Sequence, residues 1–82
     1  MNEIRKKLED LGYCLYIPEL KVFEKERGDA FIQIRYDEDF NFEDACVGVK
    51  IGLYVRSQKQ LDDLQIAYNI LKSDLKELEN EK

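Results

Sequence analysis

The chain of 82 residues has no histidine, no tryptophan, a single proline and two cysteines. Without histidine it lacks the commonest general base, the commonest zinc ligand and every Ser-His or Cys-His nucleophile pair. Two cysteines are too few for a disulfide framework or a zinc site of their own, so Cys14 and Cys46 are predicted to be small buried hydrophobic residues. A domain this small also buries only a small core, and a deep pocket would occupy much of it. We therefore expect a protein that is not an enzyme and that has no cofactor and no bound metal.

Long apolar segments are missing as well. No apolar run is long enough for a membrane-spanning helix. The segment from Met1 to Lys7 carries mixed charges instead of the apolar core of a signal peptide. Hydrophobic residues nevertheless make up 44% of the chain, too many for a disordered tail. These features predict one folded domain over residues 1–82, located in the cytoplasm and not attached to a membrane.

The spacing of apolar residues changes along the chain and predicts the order of its elements. Helical spacing in residues 1–12 predicts a short helix, with Asn2 as its N-cap and Gly12 at its end. Alternation over residues 13–56 predicts an antiparallel sheet. A second, long helix is predicted over residues 57–79. The resulting α-β-β-β-α order indicates an α+β fold, a small two-layer sandwich in which both helices cover one face of a three- to four-stranded sheet.

Within this layout, local signals mark a hairpin, a strand and a helix start. Residues 26–29 supply turn chemistry for the hairpin, and residues 47–56 alternate most clearly. Ser57 followed by Gln60 is the pattern of a capping box. The residues predicted to form the buried layer are Ile4, Leu8, Leu11, Ile32, Ile34, Val49, Ile51, Leu53, Leu64, Tyr68 and Leu71.

The net charge of −5 is unevenly distributed. Residues 1–28 and residues 47–82 each hold six basic and six acidic side chains, so each of these segments is neutral. Residues 29–46 hold six acidic side chains against one basic side chain, Arg35, and thus the entire net charge. Five of these carboxylates lie close together in a predicted acidic loop over residues 37–46.

The acidic loop has three interpretations. It can be a solvated connector between strands. It can be a weak calcium loop, since Asp37, Asp39 and Asn41 match the start of one, although Phe42 and Gly48 stand where such a loop needs glycine and glutamate. The interpretation that we favour is a docking surface for a basic partner, in which carboxylates stand in for phosphates and aromatic side chains add apolar anchors. Its predicted residues are Asp37, Glu38, Asp39, Phe40, Phe42, Glu43 and Asp44.

The acidic segment Asp37-Glu38-Asp39-Phe40-Asn41-Phe42-Glu43-Asp44 lies between a leading helix and a trailing helix in this layout. In that layout the whole chain resembles the small acidic inhibitors encoded by bacteriophages, among them the anti-CRISPR proteins that occupy the DNA-binding channel of a Cas nuclease. The resemblance is one of layout, without a shared motif. It implies an inhibitor or regulator that mimics DNA and docks on a basic, nucleic-acid-binding protein or nuclease.

The last predicted helix offers an alternative function. Leu61, Leu64, Tyr68, Leu71, Leu75 and Leu78 form a seam with heptad spacing that is longer than a small sheet can cover. Leu75 and Leu78 are therefore predicted to overhang, and Ile66 and Ile70 add apolar residues on nearly the opposite side. These four residues are candidates for assembly into a homodimer, unless the first helix or residues 13–17 cover them.

A third hypothesis concerns the sheet face turned away from the helices. Basic and aromatic side chains on an open sheet can stack bases and neutralise the phosphates of a single-stranded nucleic acid. The pI of about 4.7 disfavours direct binding to nucleic acid. The residues predicted on this face are Lys21, Phe23, Lys25, Phe31, Gln33, Arg35, Lys50, Tyr54 and Arg56.

Overall fold

A computed structural model describes residues 3–50 and 56–79 of the protein. In this part of the chain the predicted α+β layout is confirmed: a short helix precedes antiparallel strands, and a long helix follows them. The elements are α1 (Glu3–Asp10), β1 (Cys14–Ile17), a 3₁₀ turn (Pro18–Leu20), β2 (Val22–Arg27), β3 (Ala30–Tyr36), β4 (Phe42–Val49) and α2 (Gln58–Glu79).

The four described strands form one antiparallel sheet in the order β1-β2-β3-β4. β2 and β3 form the predicted hairpin, in which Arg27 pairs with Ala30 around a two-residue turn. Gly28 has a φ of +58° in this turn, a conformation that glycine adopts without steric strain. α2 packs across the sheet, and α1 lies against α2. The core therefore lies between the sheet and the two helices.

The end of α1 follows the sequence prediction. The N–H of Gly12 donates to the carbonyl of Glu9 at 3.0 Å, and the N–H of Tyr13 donates to the carbonyl of Leu8 at 2.9 Å. With a φ of +101° at Gly12, these bonds form a Schellman motif, which directs the chain from the helix into β1. The predicted N-cap, Asn2, lies outside the described residues.

The start of α2 also follows the prediction and is fixed to the β2–β3 hairpin. Ser57 Oγ accepts the N–H of Gln60 at 3.1 Å, as an N-cap does. One turn further, Asp63 Oδ2 accepts the Lys59 ammonium and the N–H of Asp29, each at 2.8 Å. These two bonds, the Lys59 bond first, lower the pKa of Asp63 below its ordinary value. The carboxylate of Asp63 therefore attaches the hairpin turn to α2.

β4 begins earlier than the sequence predicts. The predicted acidic loop over residues 37–46 is confined to residues 37–41, because β4 starts at Phe42. Of the predicted strand over residues 47–56, residues 51–55 lie outside the described part of the chain. The partner strand explains why β4 can begin within the acidic segment, because Arg35 on β3 stands opposite Asp44 on β4. Its positive charge lets acidic side chains join β4.

The faces of β2 are the reverse of the prediction. Phe23 and Lys25, predicted on the open face, point toward the helices, where Phe23 pairs with Ile34 and Lys25 with Ile32. Each face of β2 offers one apolar and two charged residues, so alternation alone is ambiguous. Phe23 shares its face with Lys25, and burial of the Phe23 ring removes apolar area from water on the helix side.

Lys25 is accommodated on the buried face because it meets an opposite charge there. Its Nζ donates to Asp74 Oδ2 at 2.9 Å and to the carbonyl of Leu11 at 2.8 Å. Tyr13 Oη donates to the same carboxylate oxygen at 2.8 Å. The Lys25 ammonium also lies 4.6 Å from the centre of the Tyr13 ring. Asp74 is 6% exposed, so one buried carboxylate joins α2 to β2 and to the segment between α1 and β1.

The buried face of α2 is rotated relative to the predicted seam. Its buried residues are Ala67, Leu71, Asp74 and Leu78. They follow the 3.6-residue period of a straight helix, whereas the seam has a period of about 3.5. Leu61 and Tyr68 therefore turn outward, and the prediction that Tyr68 is buried is wrong, since it is 47% exposed. The predicted overhang is wrong too: Leu78 lies in the core and Leu75 packs against it.

The remaining core predictions hold in the described part of the chain. Leu8, Ile32, Ile34 and Leu71 are buried, while Ile4, Leu11, Val49 and Leu64 are partly buried. Ile51 and Leu53 lie outside the described residues. The buried residues that the prediction omitted are Tyr13, Val22, Phe23, Ala30, Tyr36, Ala67 and Leu78. The omission of Phe23 follows from the reversed faces of β2.

Removing the carboxylate of Asp74 leaves the partly buried Lys25 ammonium without its counter-charge. We expect Asp74→Ala to lower the free energy of unfolding, measured by urea denaturation, by about 3 to 5 kcal/mol. Lys25→Met combined with Asp74→Leu and Tyr13→Phe replaces the whole cluster with apolar side chains and should recover most of that loss. Asp62→Ala, on the exposed side of the same helix, is the control, with an effect below roughly 0.5 kcal/mol. Equal effects at Asp74 and Asp62 would contradict the assignment.

The same cluster predicts how stability changes at high pH. Burial, followed by the hydrogen bond to Asp74, raises the pKa of Tyr13 well above its ordinary value of 10.0. Above pH 10 the unfolded chain loses the phenolic proton of Tyr13, while the folded chain keeps it. The free energy of unfolding therefore falls as the pH rises. The slope approaches about 1.4 kcal/mol per pH unit for one group. Tyr13→Phe should show a shallower fall in urea denaturation above pH 10, and parallel curves for the two proteins would refute the prediction.

Candidate functional site

One end of the sheet gathers many of the exposed carboxylates. The 3₁₀ turn, the β3–β4 turn and the last turn of α2 meet there around Tyr36, which lines a groove on each side. We call this region the acidic end. Its carboxylates belong to Glu19, Asp37, Glu38, Asp39, Glu43, Asp44 and Glu79. The basic side chains that line its grooves are those of Lys21 and Arg35, so the region is strongly negative.

Asp37 closes the turn at the tip of the acidic end. Its Oδ1 accepts the N–H of Asp39 at 2.9 Å and the N–H of Asn41 at 2.8 Å. In the backbone, the N–H of Phe40 donates to the carbonyl of Asp37 at 3.0 Å, and Phe40 has a φ of +63°. This is the geometry of a hairpin loop in which a tight turn is followed by a left-handed residue. The Asp37 carboxylate is thus engaged within the chain and sets the shape of the tip.

The other four predicted carboxylates form two pairs with different environments. Glu43 and Asp44 flank Arg35: Nη2 donates to Asp44 Oδ2 at 2.6 Å, and Nε lies 3.2 Å from Glu43 Oε1. Glu38 and Asp39 stand exposed at the tip. Within residues 3–50 and 56–79 neither of them has an ionic partner. Glu38 and Asp39, which we call the tip pair, therefore carry the uncompensated charge of the turn.

The two predicted phenylalanines have different roles. The centre of the Phe40 ring lies 6.5 Å from that of Phe23 and 5.9 Å from that of Tyr36, and Lys21 Nζ lies 5.4 Å from the Phe40 centroid. Phe40 thus anchors the turn to the core. Phe42 contacts Tyr36 edge-on at 6.2 Å between centroids but is 52% exposed. Of the two rings, Phe42 offers apolar surface to a partner.

The hydrogen bonds of the turn account for the residues that resemble a calcium loop. Asp37 turns its Oδ1 inward onto backbone N–H groups, as an Asx turn does. In the described part of the chain, no three cysteine, aspartate or glutamate side chains lie close enough together to hold a metal ion. The spacing of Asp37, Asp39 and Asn41 therefore has a structural explanation in the turn itself.

The open sheet face is not the basic surface that the nucleic-acid hypothesis requires. β2 contributes Glu24 and Glu26 to it in place of Phe23 and Lys25, and β4 contributes Asp44. Phe31, Gln33 and Arg35 lie on this face as predicted, whereas Tyr54 lies outside the described residues. The exchange of two predicted residues for two glutamates reverses the local charge, which removes the premise of that hypothesis.

Two basic side chains of the open face, those of Arg35 and Lys50, are already paired. Arg35 is bound to Asp44, and Lys50 Nζ lies 3.2 Å from Glu26 Oε1. The Phe31 ring covers Gly48 on the neighbouring strand so closely that a Cβ at that glycine would collide with it. The Phe31 ring therefore packs against its own sheet. In a protein that stacks bases, the ring would instead have to be exposed to the base.

Cys14 and Cys46 are exposed, which corrects the prediction that both are buried. They lie in one row of the open face, where Cys14 pairs with Glu24, Glu24 with Gln33, and Gln33 with Cys46. Three strand spacings separate them by roughly 14 Å, too far for a disulfide bond. Partial burial, and then Asp44 and Glu24, raise the pKa of Cys46. The thiolate of Cys46 is therefore disfavoured.

The four residues predicted for self-association do not form a common exposed surface. Leu78 is buried, and Ile70 and Leu75 are partly buried against the core. Ile66 lies on the outer side of α2, 37% exposed. A homodimer formed through an overhanging leucine seam consequently lacks its structural premise, although assembly itself stays an open prediction.

Two carboxylates of the acidic end were not predicted from the sequence. Glu19 lies in the 3₁₀ turn and Glu79 at the end of α2, both far along the chain from the tip pair. Each lines one of the two grooves beside Tyr36. No local signal marks them, because the sheet register and the crossing of α2 bring them to this end.

Comparison with known proteins finds no matching family model, no similar curated protein and no similar solved structure. In the described ranges, no helix is both long and apolar enough to span a membrane.

The role of Asp37 in the turn can be separated from its charge. Asp37→Asn keeps a side-chain oxygen that accepts the N–H groups of Asp39 and Asn41, whereas Asp37→Ala removes it. We expect Asp37→Ala to lower the free energy of unfolding in urea by about 1 to 2 kcal/mol, and Asp37→Asn to cost less than half as much. Amide exchange at Asn41, followed by NMR, should accelerate in the alanine variant. The assignment fails if alanine and asparagine at this position behave alike.

Proposed function

We propose that this protein is a non-enzymatic interaction module whose acidic end docks on a basic surface of another protein. The observation that carries the proposal is the tip pair: Glu38 and Asp39 are exposed and lack ionic partners among the described residues, and the exposed Phe42 follows them at the start of β4. Charged side chains around an exposed aromatic ring are typical of an interface with an apolar anchor and a polar rim.

The energetics of the tip support this function. Two unit charges about 7 Å apart in water repel by only about 0.6 kcal/mol, and salt screens them further. The chain therefore tolerates the tip pair at low cost. Toward a basic partner the same charges become an attraction that accelerates association. The hydrogen bonds of Asp37 hold the tip in one conformation, which reduces the ordering that binding requires.

The finer part of the proposal concerns the partner. We propose a surface that binds nucleic acid, so that the carboxylates take the place of phosphates and the protein acts as an inhibitor or regulator. Surfaces that bind nucleic acid are basic because they must neutralise phosphates, and an acidic end with an aromatic anchor complements them. The resemblance of the layout to the anti-CRISPR type of inhibitor is a further reason for proposing this partner.

The tip pair can be neutralised without disturbing the turn or the Arg35 ion pairs. We expect Glu38→Gln with Asp39→Asn to weaken binding of a fluorescein-labelled peptide of alternating glycine and lysine by about fivefold at low salt, measured by fluorescence anisotropy. The dependence of affinity on salt should become flatter, because two charges no longer take part.

A matched control removes two carboxylates elsewhere. Asp10→Asn with Asp62→Asn changes the net charge equally at exposed positions of α1 and α2 and should retain the affinity of the unmodified protein. Equal weakening by both double variants would sink the proposal, because only total charge would then matter.

The same variants address the proposed nucleic-acid-binding partner in an assay of DNA cleavage by a Cas nuclease. Inhibition by the control variant and not by the tip variant supports it, and no inhibition by the unmodified protein contradicts it.

A further inference from the structure

We propose that the groove beside Phe42 receives an arginine side chain of the basic partner. This inference rests on the proposed function. It specifies the partner side chain that is recognised and the place where it binds. It concerns the larger of the two grooves at the acidic end, which we call the aromatic groove.

The aromatic groove lies between the first turn of α1, the last turn of α2 and the β3–β4 turn. It is a cavity of about 340 Å³. Its apolar walls are formed by Ile4, Tyr36, Phe40, Phe42, Leu75 and Leu78, and its polar groups come from Asn41 and Glu79. Ligand pockets span about 300–1,000 Å³, so this volume is at the lower end and suits one long side chain.

The aromatic walls face in different directions. The rings of Tyr36 and Phe42 are nearly perpendicular, at 83°, while those of Tyr36 and Phe40 are tilted by 34°. Aromatic faces attract cations, and a guanidinium group is planar and weakly hydrated, so it stacks on such rings more readily than an ammonium group does. The same cluster already holds a cation of this chain, since Lys21 Nζ lies 5.4 Å from the Phe40 centroid.

The charge of the rim selects the same occupant. Glu79 lines the groove and is exposed, and it has no ionic partner among the described residues. A carboxylate can accept two parallel hydrogen bonds from an arginine, a geometry that lysine cannot match. The tip pair adds negative charge to the same end of the molecule. A neutral apolar ligand would use the rings and leave these carboxylates without a role.

The test compares two labelled peptides of equal charge, one alternating glycine with arginine and the other glycine with lysine. We expect the unmodified protein to bind the arginine peptide about two- to fivefold more tightly. Phe42→Ala and Glu79→Gln should each abolish this preference. Tyr16→Ala is the control: it removes an aromatic ring that is 57% exposed, against 52% for Phe42, and lies outside the groove, so the preference should persist. Urea denaturation of each variant verifies that it is folded.

The outcomes separate the groove from the proposed function. Equal affinity for the two peptides, together with weaker binding by the tip variant, overturns the arginine groove and leaves the acidic end as a docking surface. A preference for arginine that survives Phe42→Ala also overturns it, because arginine would then be recognised elsewhere. Absence of binding to either peptide overturns both.

Discussion

The buried carboxylate of Asp74 is the contact on which the arrangement of this small domain depends. It accepts hydrogen bonds from Lys25 and from Tyr13, and it joins α2 to two other parts of the chain. A lysine and an aspartate removed from water are costly unless they are paired and fully hydrogen-bonded. Here the Lys25 ammonium has a second acceptor in the carbonyl of Leu11. The pair therefore fixes which face of β2 meets the helices.

That choice determines the charge of the two surfaces that could bind a partner. Once Lys25 turns inward, Glu24 and Glu26 turn outward, and the open sheet face loses the basic character that a nucleic-acid platform requires. The acidic end, in contrast, keeps the charge that binding requires. Asp37 accepts hydrogen bonds within the turn, and Glu38 and Asp39 remain exposed to solvent. The same fold that removes one candidate surface thus holds the other in a defined shape.

Local signals in the sequence were sufficient to predict the order of helices and strands. They were insufficient to predict which side chains of β2 face the helices. Gly12 and Ser57 mark helix ends through bonds within a few residues, and the structure has both. The orientation of β2 depends on Asp74, which lies 49 residues from Lys25, so no periodicity within the strand could reveal it. For the acidic end, the local excess of carboxylates marks the segment that holds the tip pair, but only the structure separates the tip pair from the paired carboxylates. No local signal marks Glu79, because α2 brings it to the acidic end only after the chain has folded.

The most direct test of the acidic end is an NMR titration of the ¹⁵N-labelled protein with the unlabelled arginine peptide. The account predicts that the largest amide shift changes fall on the tip pair, Phe42 and Glu79, and that they diminish as salt is added. Amides of the open face, such as those of Gln33 and Cys46, should keep their positions. Shift changes concentrated on Gln33 and Cys46, with an unperturbed tip, would contradict the account.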